Sequence, residues 1–331
     1  MLHSPLYLFD RPEFFMDPLS EILSLLRPHS YVSAGFDAGG DWSVQFTSYD
    51  AIKFNTVVSG QGWLIMEGVA DPVWLEAGDC FLLHRGRPFR LTSDPSLTPI
   101  DAHTLFSSAG PGGIITYNGG GNFFIAVSRF SLEGNHADFL LSQLAPIVHI
   151  RNSSDQEDLR WSLERMRREL SQGQPGSFLI AQHLAHMMLI QTLRAHLAQG
   201  MTERVGWFYA LADKNIGAAI TAMHDSPAHR WTLQALAKCA GLSRSIFALK
   251  FKAKVGASPM EYLSRWRMLL AADKLVNTND SISTIALSLG YESDSAFSTA
   301  FKRIMKCAPR HYAARMAEPI QNRGISLLGR A

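Results

Sequence analysis

The last third of the chain carries one sequence pattern twice, which limits the fold more than any average over the chain. Leu233, Leu236, Ala237 and Gly241 recur 49 residues later as Ile282, Ile285, Ala286 and Gly290. Beyond the glycine the offset becomes 50: Ser243, Phe247, Phe251, Pro259, Tyr262 and Arg265 return as Ser293, Phe297, Phe301, Pro309, Tyr312 and Arg315. The extra residue falls between glycine and serine, where a turn tolerates an insertion. Apolar positions before each glycine keep helical spacing. The alanine leaves room for a second helix, glycine permits the positive φ of a sharp turn, and serine is a favoured N-cap for the next helix. The phenylalanines, four apart, share one buried face. Each unit therefore reads as a helix-turn-helix, with its second helix free to enter a DNA major groove.

An ordinary bundle of two helical hairpins has the same pattern, and charge favours the helix-turn-helix. Residues 228–316 hold 14 Lys/Arg and 5 Asp/Glu, an excess of nine positive charges, while the rest holds 17 basic and 24 acidic residues. A basic block on an acidic remainder points to a polyanion at that block. Between the units, Pro259 to Val276 reads as one long helix with an apolar stripe of Tyr262, Leu263, Trp266, Leu269, Leu270 and Leu275. If it sets the units about one DNA turn apart, roughly 34 Å, both second helices meet one face of a duplex.

The remainder is organised differently. At 331 residues, 47% hydrophobic and 18% charged, the chain suits two packed domains. Its apolar runs fall short of a membrane span, and Met1 to Arg11 has no basic segment leading into an apolar one. Three scattered cysteines, Cys80, Cys239 and Cys307, fit a reducing cytoplasm. Helical spacing covers Asp17–Arg27, Asp155–Leu170, Ser177–Leu197 and Asn215–His224. Short segments rich in Val, Ile, Phe and Trp read as strands: Trp42–Phe46, Ile52–Val58, Gly62–Met66, Trp74–Glu76, Cys80–His84, Arg90–Thr92, His103–Phe106 and Phe123–Phe130. They imply a β-sandwich or barrel. Gly110–Gly113 and Gly119–Gly121 read as loops without the Lys and Ser/Thr of a phosphate-binding loop. The expected fold class is α+β, a β-barrel with covering helices followed by an all-α domain with two helix-turn-helix units.

Residues 206–315 resemble the DNA-binding domain of AraC-type transcription regulators. The likeness rests on Ala237-Lys-Cys-Ala-Gly-Leu-Ser-Arg-Ser-Ile-Phe247, on Gly256-Ala-Ser-Pro259-Met-Glu-Tyr262, and on Ile285-Ala286-Leu-Ser-Leu-Gly-Tyr291 with Phe297, Phe301 and Pro309-Arg-His-Tyr312. It implies base contacts from Arg244, Ser245, Ala248 and Leu249 in the first unit and from Asp294, Ser295, Ala296 and Thr299 in the second. Only Arg244 has the long fork that grips guanine, and Asp294 can accept from cytosine, so DNA shape would share the readout. Ser243, Lys250, Lys252, Lys254, Ser293, Lys302, Arg303 and Lys306 are the phosphate candidates, each lysine reading equally as a solvated charge. The implied partners are double-stranded promoter DNA, with RNA polymerase and a second copy of the chain beyond it. The helix Asp155–Leu170 either makes that dimer contact or covers the barrel.

Residues 1–205 resemble the cupin-like barrel that precedes this domain in one subgroup of these regulators, and 317–331 reads as a flexible tail. The supporting stretches are Ile52-Lys-Phe-Asn-Thr-Val-Val-Ser-Gly60 and Leu75-Glu-Ala-Gly78-Asp79-Cys-Phe-Leu-Leu-His84-Arg-Gly86. Metal-binding cupins resemble one another in a histidine cluster with a glutamate. Here the first motif has Lys53-Phe54-Asn55 in place of His-x-His, and Phe89 stands where a later histidine is expected. No metal, cofactor or catalytic residue is therefore assigned. Asn55, His84 and His103 are the candidates for an effector pocket, and each histidine reads equally as a core-edge residue bonded to a backbone carbonyl. A barrel sensing a small molecule or a redox signal is the leading expectation. A cupin oxygenase or isomerase fused to a DNA-binding tail is the alternative.

Overall fold

The computed structural model describes residues 17–26, 29–49, 52–84, 86–107, 113–131, 144–151, 157–172, 174–198 and 205–317. The Met1–Arg11 segment, the loop 110–112 and tail residues 318–331 lie outside them. Among the described residues eleven strands form two sheets: β1 (His29–Ala38), β2 (Ser43–Phe46), β3 (Ile52–Ser59), β4 (Gln61–Met66), β5 (Val73–Glu76), β6 (Cys80–Leu83), β7 (Phe89–Thr92), β8 (Ile100–Asp101), β9 (Ile114–Tyr117), β10 (Phe123–Ser131) and β11 (Ile147–Ile150). One sheet runs β11-β6-β3-β10-β1-β9 and the other β5-β4-β7-β2-β8. Among the described residues the pair is a sandwich, one of the two forms that the strand pattern implies, and does not close into a barrel. Side chains alternate across each strand. Val57, Phe81, Leu83 and Ile125 of the first sheet meet Val44, Leu64, Phe89 and Leu91 of the second in the space between.

The other face of the six-stranded sheet, with Ile52, Phe54, Cys80, Leu82, Ala126 and Phe130, packs under helices. These are α1 (Pro18–Leu26), α3 (Glu157–Gln172) and α4 (Ser177–Ala198); α2 (Ala102–Phe106) lies at the edge of the second sheet. The sequence predicts a strand over His103–Phe106, and the structure has α2 there. The Asp101 carboxylate accepts from the His103 amide at 2.6 Å and caps a helical turn that the apolar pattern alone does not reveal. The second domain follows as α5 (Trp207–Ala210), α6 (Lys214–Asp225), α7 (Leu233–Cys239), α8 (Arg244–Val255), α9 (Pro259–Asn277), α10 (Ile282–Ser288), α11 (Asp294–Met305) and α12 (Pro309–Ala317). Among the described residues no helix is long and apolar enough to cross a membrane.

Candidate nucleic-acid interface

Each repeat folds as its residues require. Helix α7 stops at Gly241 (φ 64°) and α10 at Gly290 (φ 77°). The next amides, Leu242 and Tyr291, reach back to the carbonyls of Ala237 and Ala286, both at 3.0 Å, which satisfies carbonyls that the helix end leaves open. Ser243 and Ser293 then cap α8 and α11 by accepting from the Ile246 and Ala296 amides. Phe247 and Phe251 of α8, and Phe297 and Phe301 of α11, are fully buried. Helix α9 joins the units without a break, opened by Pro259 and a reciprocal capping box between Ser258 and Glu261.

Burying one face of each second helix leaves the other to solvent. Arg244, Ser245 and Leu249 of α8 are exposed and Ala248 is half-buried. Asp294, Ser295, Ala296 and Thr299 of α11 are all exposed. Ile246, exposed at 56%, joins the α8 face; its position matches Ala296 in the repeat, a correspondence that would have identified it. Lys252, Lys302, Arg303 and Lys306 are exposed and Lys254 is partly so. Lys250 departs from this set. Its ammonium donates to Asp213 Oδ1 at 3.0 Å and Asn215 Oδ1 at 3.1 Å, tying α8 to the start of α6. Although burial opposes it, hydrogen bonds from the Ile216 amide and Lys250 hold the Asp213 carboxyl below its ordinary pKa. One oxygen of Asp294 is likewise engaged, by the Ser283 hydroxyl at 2.5 Å.

The sensor-side candidates do not converge. Asn55 is buried on β3, on the face towards the second sheet, with its Nδ2 unpaired among the described residues. His84 is buried just beyond β6, with Nε2 2.5 Å from the Ala145 carbonyl. That oxygen can only accept, so Nε2 carries the proton, which matches the carbonyl-bonded reading. His103 is exposed on α2. Among the described residues no three His, Cys, Asp or Glu side chains converge on a metal position. The first cupin motif supplies an amine and an amide, Lys53 and Asn55, and a cation at that position repels a divalent ion, so the residues present do not fit a cupin metal. Cys80 lies on the helix-covered face. Burial pushes its thiol up to about 12, against the pull of a Thr56 hydrogen bond, so almost no thiolate exists near neutrality.

A polar link that the sequence gives no hint of joins the two domains. Glu21 of α1 accepts from His224 Nδ1 at 2.6 Å, and the other ring nitrogen takes a hydrogen bond from the Tyr262 hydroxyl of α9 at 2.7 Å. Trp266 stacks on the imidazole with centroids 3.9 Å apart. Glu21 and His224 are 203 residues apart in sequence.

A cupin family matches residues 17–198, just over half of the chain, and a helix-turn-helix domain family matches 236–315. A protein of Streptomyces lividans named an AraC-like transcription regulator is 41% identical over 90% of this chain and 98% of its own length. The chain belongs to the AraC-type transcription regulators. A Streptomyces antibioticus protein of the same name is 40% identical over the same shares of both chains. The HTH-type transcriptional regulator AlkR of Acinetobacter baylyi is 28% identical over 90% of this chain and 99% of its own. As an AraC-type regulator the protein has its DNA-binding elements in α7–α8 and α10–α11, behind a cupin domain of two sheets.

Proposed function

We propose that this AraC-type regulator reads promoter DNA with α8 and α11, and that a small molecule bound by its N-terminal sandwich shifts that grip. The observation that carries the reading is the pair of second helices, each with its aromatic face buried and its polar face in solvent, held by one uninterrupted 19-residue helix. At 1.5 Å per residue α9 is about 28 Å long, close to one turn of DNA. Arg244, Ser245, Ile246, Ala248 and Leu249 face bases in one groove, and Asp294, Ser295, Ala296 and Thr299 in the next. Ser243, Lys252, Lys254, Ser293, Lys302, Arg303 and Lys306 serve phosphates. Lys250 is left out because its charge is already paired with Asp213. The sensing domain ends near residue 205 and the DNA-binding domain spans 206–316. RNA polymerase is a further partner, reached from the promoter-bound state.

The buried, high-pKa thiol of Cys80 favours a small molecule over an oxidant as the signal. The misfit of the first cupin motif to a metal favours a binding domain over an oxygenase or isomerase. Helix α3 covers the sheet with Leu159, Leu163 and Met166, yet its Trp161 is 62% exposed, beside Glu164, Arg165 and Arg168. That surface is our site for pairing with a second copy.

Fluorescence anisotropy with DNA from upstream of the protein's own gene and with scrambled DNA tests the reading. Affinity for both should fall steeply with salt as counterions are displaced. Arg244→Ala should lower the ratio of specific to scrambled binding, and Lys252→Ala should weaken both alike and reduce the salt slope by about one. A flat salt dependence, or equal effects of the two substitutions on both DNAs, overturns the assignment.

A further inference from the structure

Lys53 sits on β3 with its side chain in the mouth between the two sheets, and its ammonium lies over three aromatic faces. The ring centroids are 4.5 Å away for Tyr49, 4.7 Å for Phe46 and 4.8 Å for Phe89. No carboxylate or other hydrogen-bonding group among the described residues pairs with it. Directly opposite on β10 is Arg129, in register with Lys53 and therefore on the same face. Like charges facing each other across a strand pair are destabilising, and a sheltered cation without a counter-ion is more costly still. Two further polar atoms near Lys53 are buried and unpaired among the described residues: the Tyr49 hydroxyl and the Nδ2 of Asn55, two residues along the same face of β3. Each can donate a hydrogen bond. Lys53, Tyr49, Phe46 and Arg129 all keep some solvent contact, so the mouth is open.

We propose that this mouth is the sensor's ligand site and that its ligand is a carboxylate on an apolar or aromatic body. The inference rests on the reading of the N-terminal domain as a small-molecule sensor and names the class of its effector. Lys53 supplies the charge, Arg129 adds to the positive field, and the Tyr49 hydroxyl and Asn55 amide donate to the carboxylate oxygens. The partly exposed ring of Phe46, backed by the buried Phe89 stacked on it at 4.5 Å, receives the apolar body. A metal ion or a second cation is repelled by the same groups, and a neutral ligand leaves Lys53 unpaired.

Burial, aided by the Arg129 charge, lowers the Lys53 amine to about 7. Among the described groups facing it, Arg129 is the charged one and Tyr49 the other ionisable one; β6 and β7 present Leu83 and Phe89. A bound carboxylate restores the ammonium, so binding takes up a proton, and affinity weakens as pH rises above 7, towards tenfold per unit.

The test uses the full chain in thermal melts and calorimetry, with benzoate, hexanoate and octanoate against benzyl alcohol, hexanol and octanol. At least one acid should raise the melting temperature where its alcohol does not, with weaker binding at pH 8.5 than at pH 6.5. Lys53→Met should abolish that shift. As a check that does not depend on the variant's folding, competitive acetylation of the wild-type chain should titrate Lys53 near 7 and show protection by the acid. If no acid binds, or if Lys53→Met binds it unchanged with Lys53 unprotected, the site is overturned. If an alcohol binds as well as its acid, the carboxylate class falls and the sensor reading stands. If the acid binds through Lys53 but leaves promoter affinity unaltered, the site stands and the sensor reading falls.

Discussion

Phe247 and Phe251 of the first helix-turn-helix unit lie in the same continuous hydrophobic core as Leu163, Met188 and Phe130 of the sensing domain. Phe297 and Phe301 of the second unit lie in a smaller core with Met268, Ala271, Ala272 and Tyr312. The two units share one sequence pattern and one turn geometry but are fastened to different things. Helix α9 serves both cores, giving Tyr262, Leu263, Trp266 and Leu269 to one and Met268, Ala271 and Ala272 to the other. A displacement of α1 or α4 against the sheet therefore reaches the first unit directly, and the second only through α9. The Glu21–His224–Tyr262 chain lies on that route. Coupling requires an element with two arrangements whose balance both sites bias, and for the coupling we propose the seat of α1 against α6 and α9 is the element to test.

Gly241 and Gly290 separate the two units most sharply. Both have positive φ, so alanine at either strains the backbone by about 1 kcal/mol. A Cβ on Gly241 meets nothing within 4 Å, whereas one on Gly290 would stand 2.3 Å from the Ala228 carbonyl oxygen. That oxygen belongs to the loop before α7, which Arg267 also holds by donating to the Pro227 and His229 carbonyls. Gly290→Ala should therefore cost roughly 3 kcal/mol and Gly241→Ala about 1 kcal/mol, read by urea denaturation. Equal losses would mean that the second turn is as free as the first.

The next largest effect tests the fastening of the first unit. Burial lowers the pKa of His224, against the pull of Glu21. The unfolded imidazole then binds a proton at a higher pH than the folded one. Stability is full above the ordinary histidine value of about 6.5 and is lost as pH falls through it, at up to about 1.4 kcal/mol per pH unit. Glu21→Gln removes the group that offsets the burial, so the loss towards pH 5 should be steeper than in the wild type. A parallel pH profile for the two proteins would remove the His224 link from the coupling route. Lys250→Met follows at about 1 kcal/mol, because it strips a charged partner from the partly exposed Asp213. The second unit has Ala300 at the matching place and no such tie. Lys252→Met, on the exposed side of the same helix, should leave stability within about 0.5 kcal/mol of wild type.

The repeat made the second domain legible almost to the residue, because caps, glycines and aromatic pairs are local and each was present twice. Helix α9 was expected over 259–276 and runs to Asn277. In the first domain most strands were found, since a half-buried strand announces itself by alternation. Strands β1, β8, β9 and β11 were not. β1 carries Ser30, Ser33 and Gly35 among its apolar residues, and its place is set by pairing with β10 and β9 far along the chain. The site residues divide in the same way. The exposed faces of α8 and α11 follow from helix periodicity once the phenylalanines are placed inside. Lys53 stood in the sequence only as a departure from a histidine motif, since nothing local shows that Phe46, Tyr49, Phe89 and Arg129 surround it. Lys250 had the composition of a phosphate contact, and only the fold brings Asp213 to it across 37 residues.

The smallest expected effect lies at the ends of the two recognition helices. Helix α8 ends on Gly256 with φ 80°, and α11 ends on Lys306, at the matching position of the repeat, with φ 62°. Both residues occupy the left-handed conformation that terminates a helix, which glycine adopts freely and lysine does not. Lys306→Gly should relieve that strain and stabilise the DNA-free protein by about 0.5 kcal/mol, net of the greater freedom glycine has in the unfolded chain. The same substitution removes an exposed cation that we propose serves a phosphate, so affinity for specific and scrambled DNA should fall together and the salt slope should shrink by about one. A more stable protein that binds DNA less tightly would show that this position gives up backbone ease for a phosphate contact in the second unit. In the first, the matching position is glycine, and its cations lie earlier on the helix at Lys252 and Lys254. If Lys306→Gly stabilises the chain and leaves the salt slope unaltered, the lysine is only a solvated charge, and the two units differ at their helix ends without consequence for DNA.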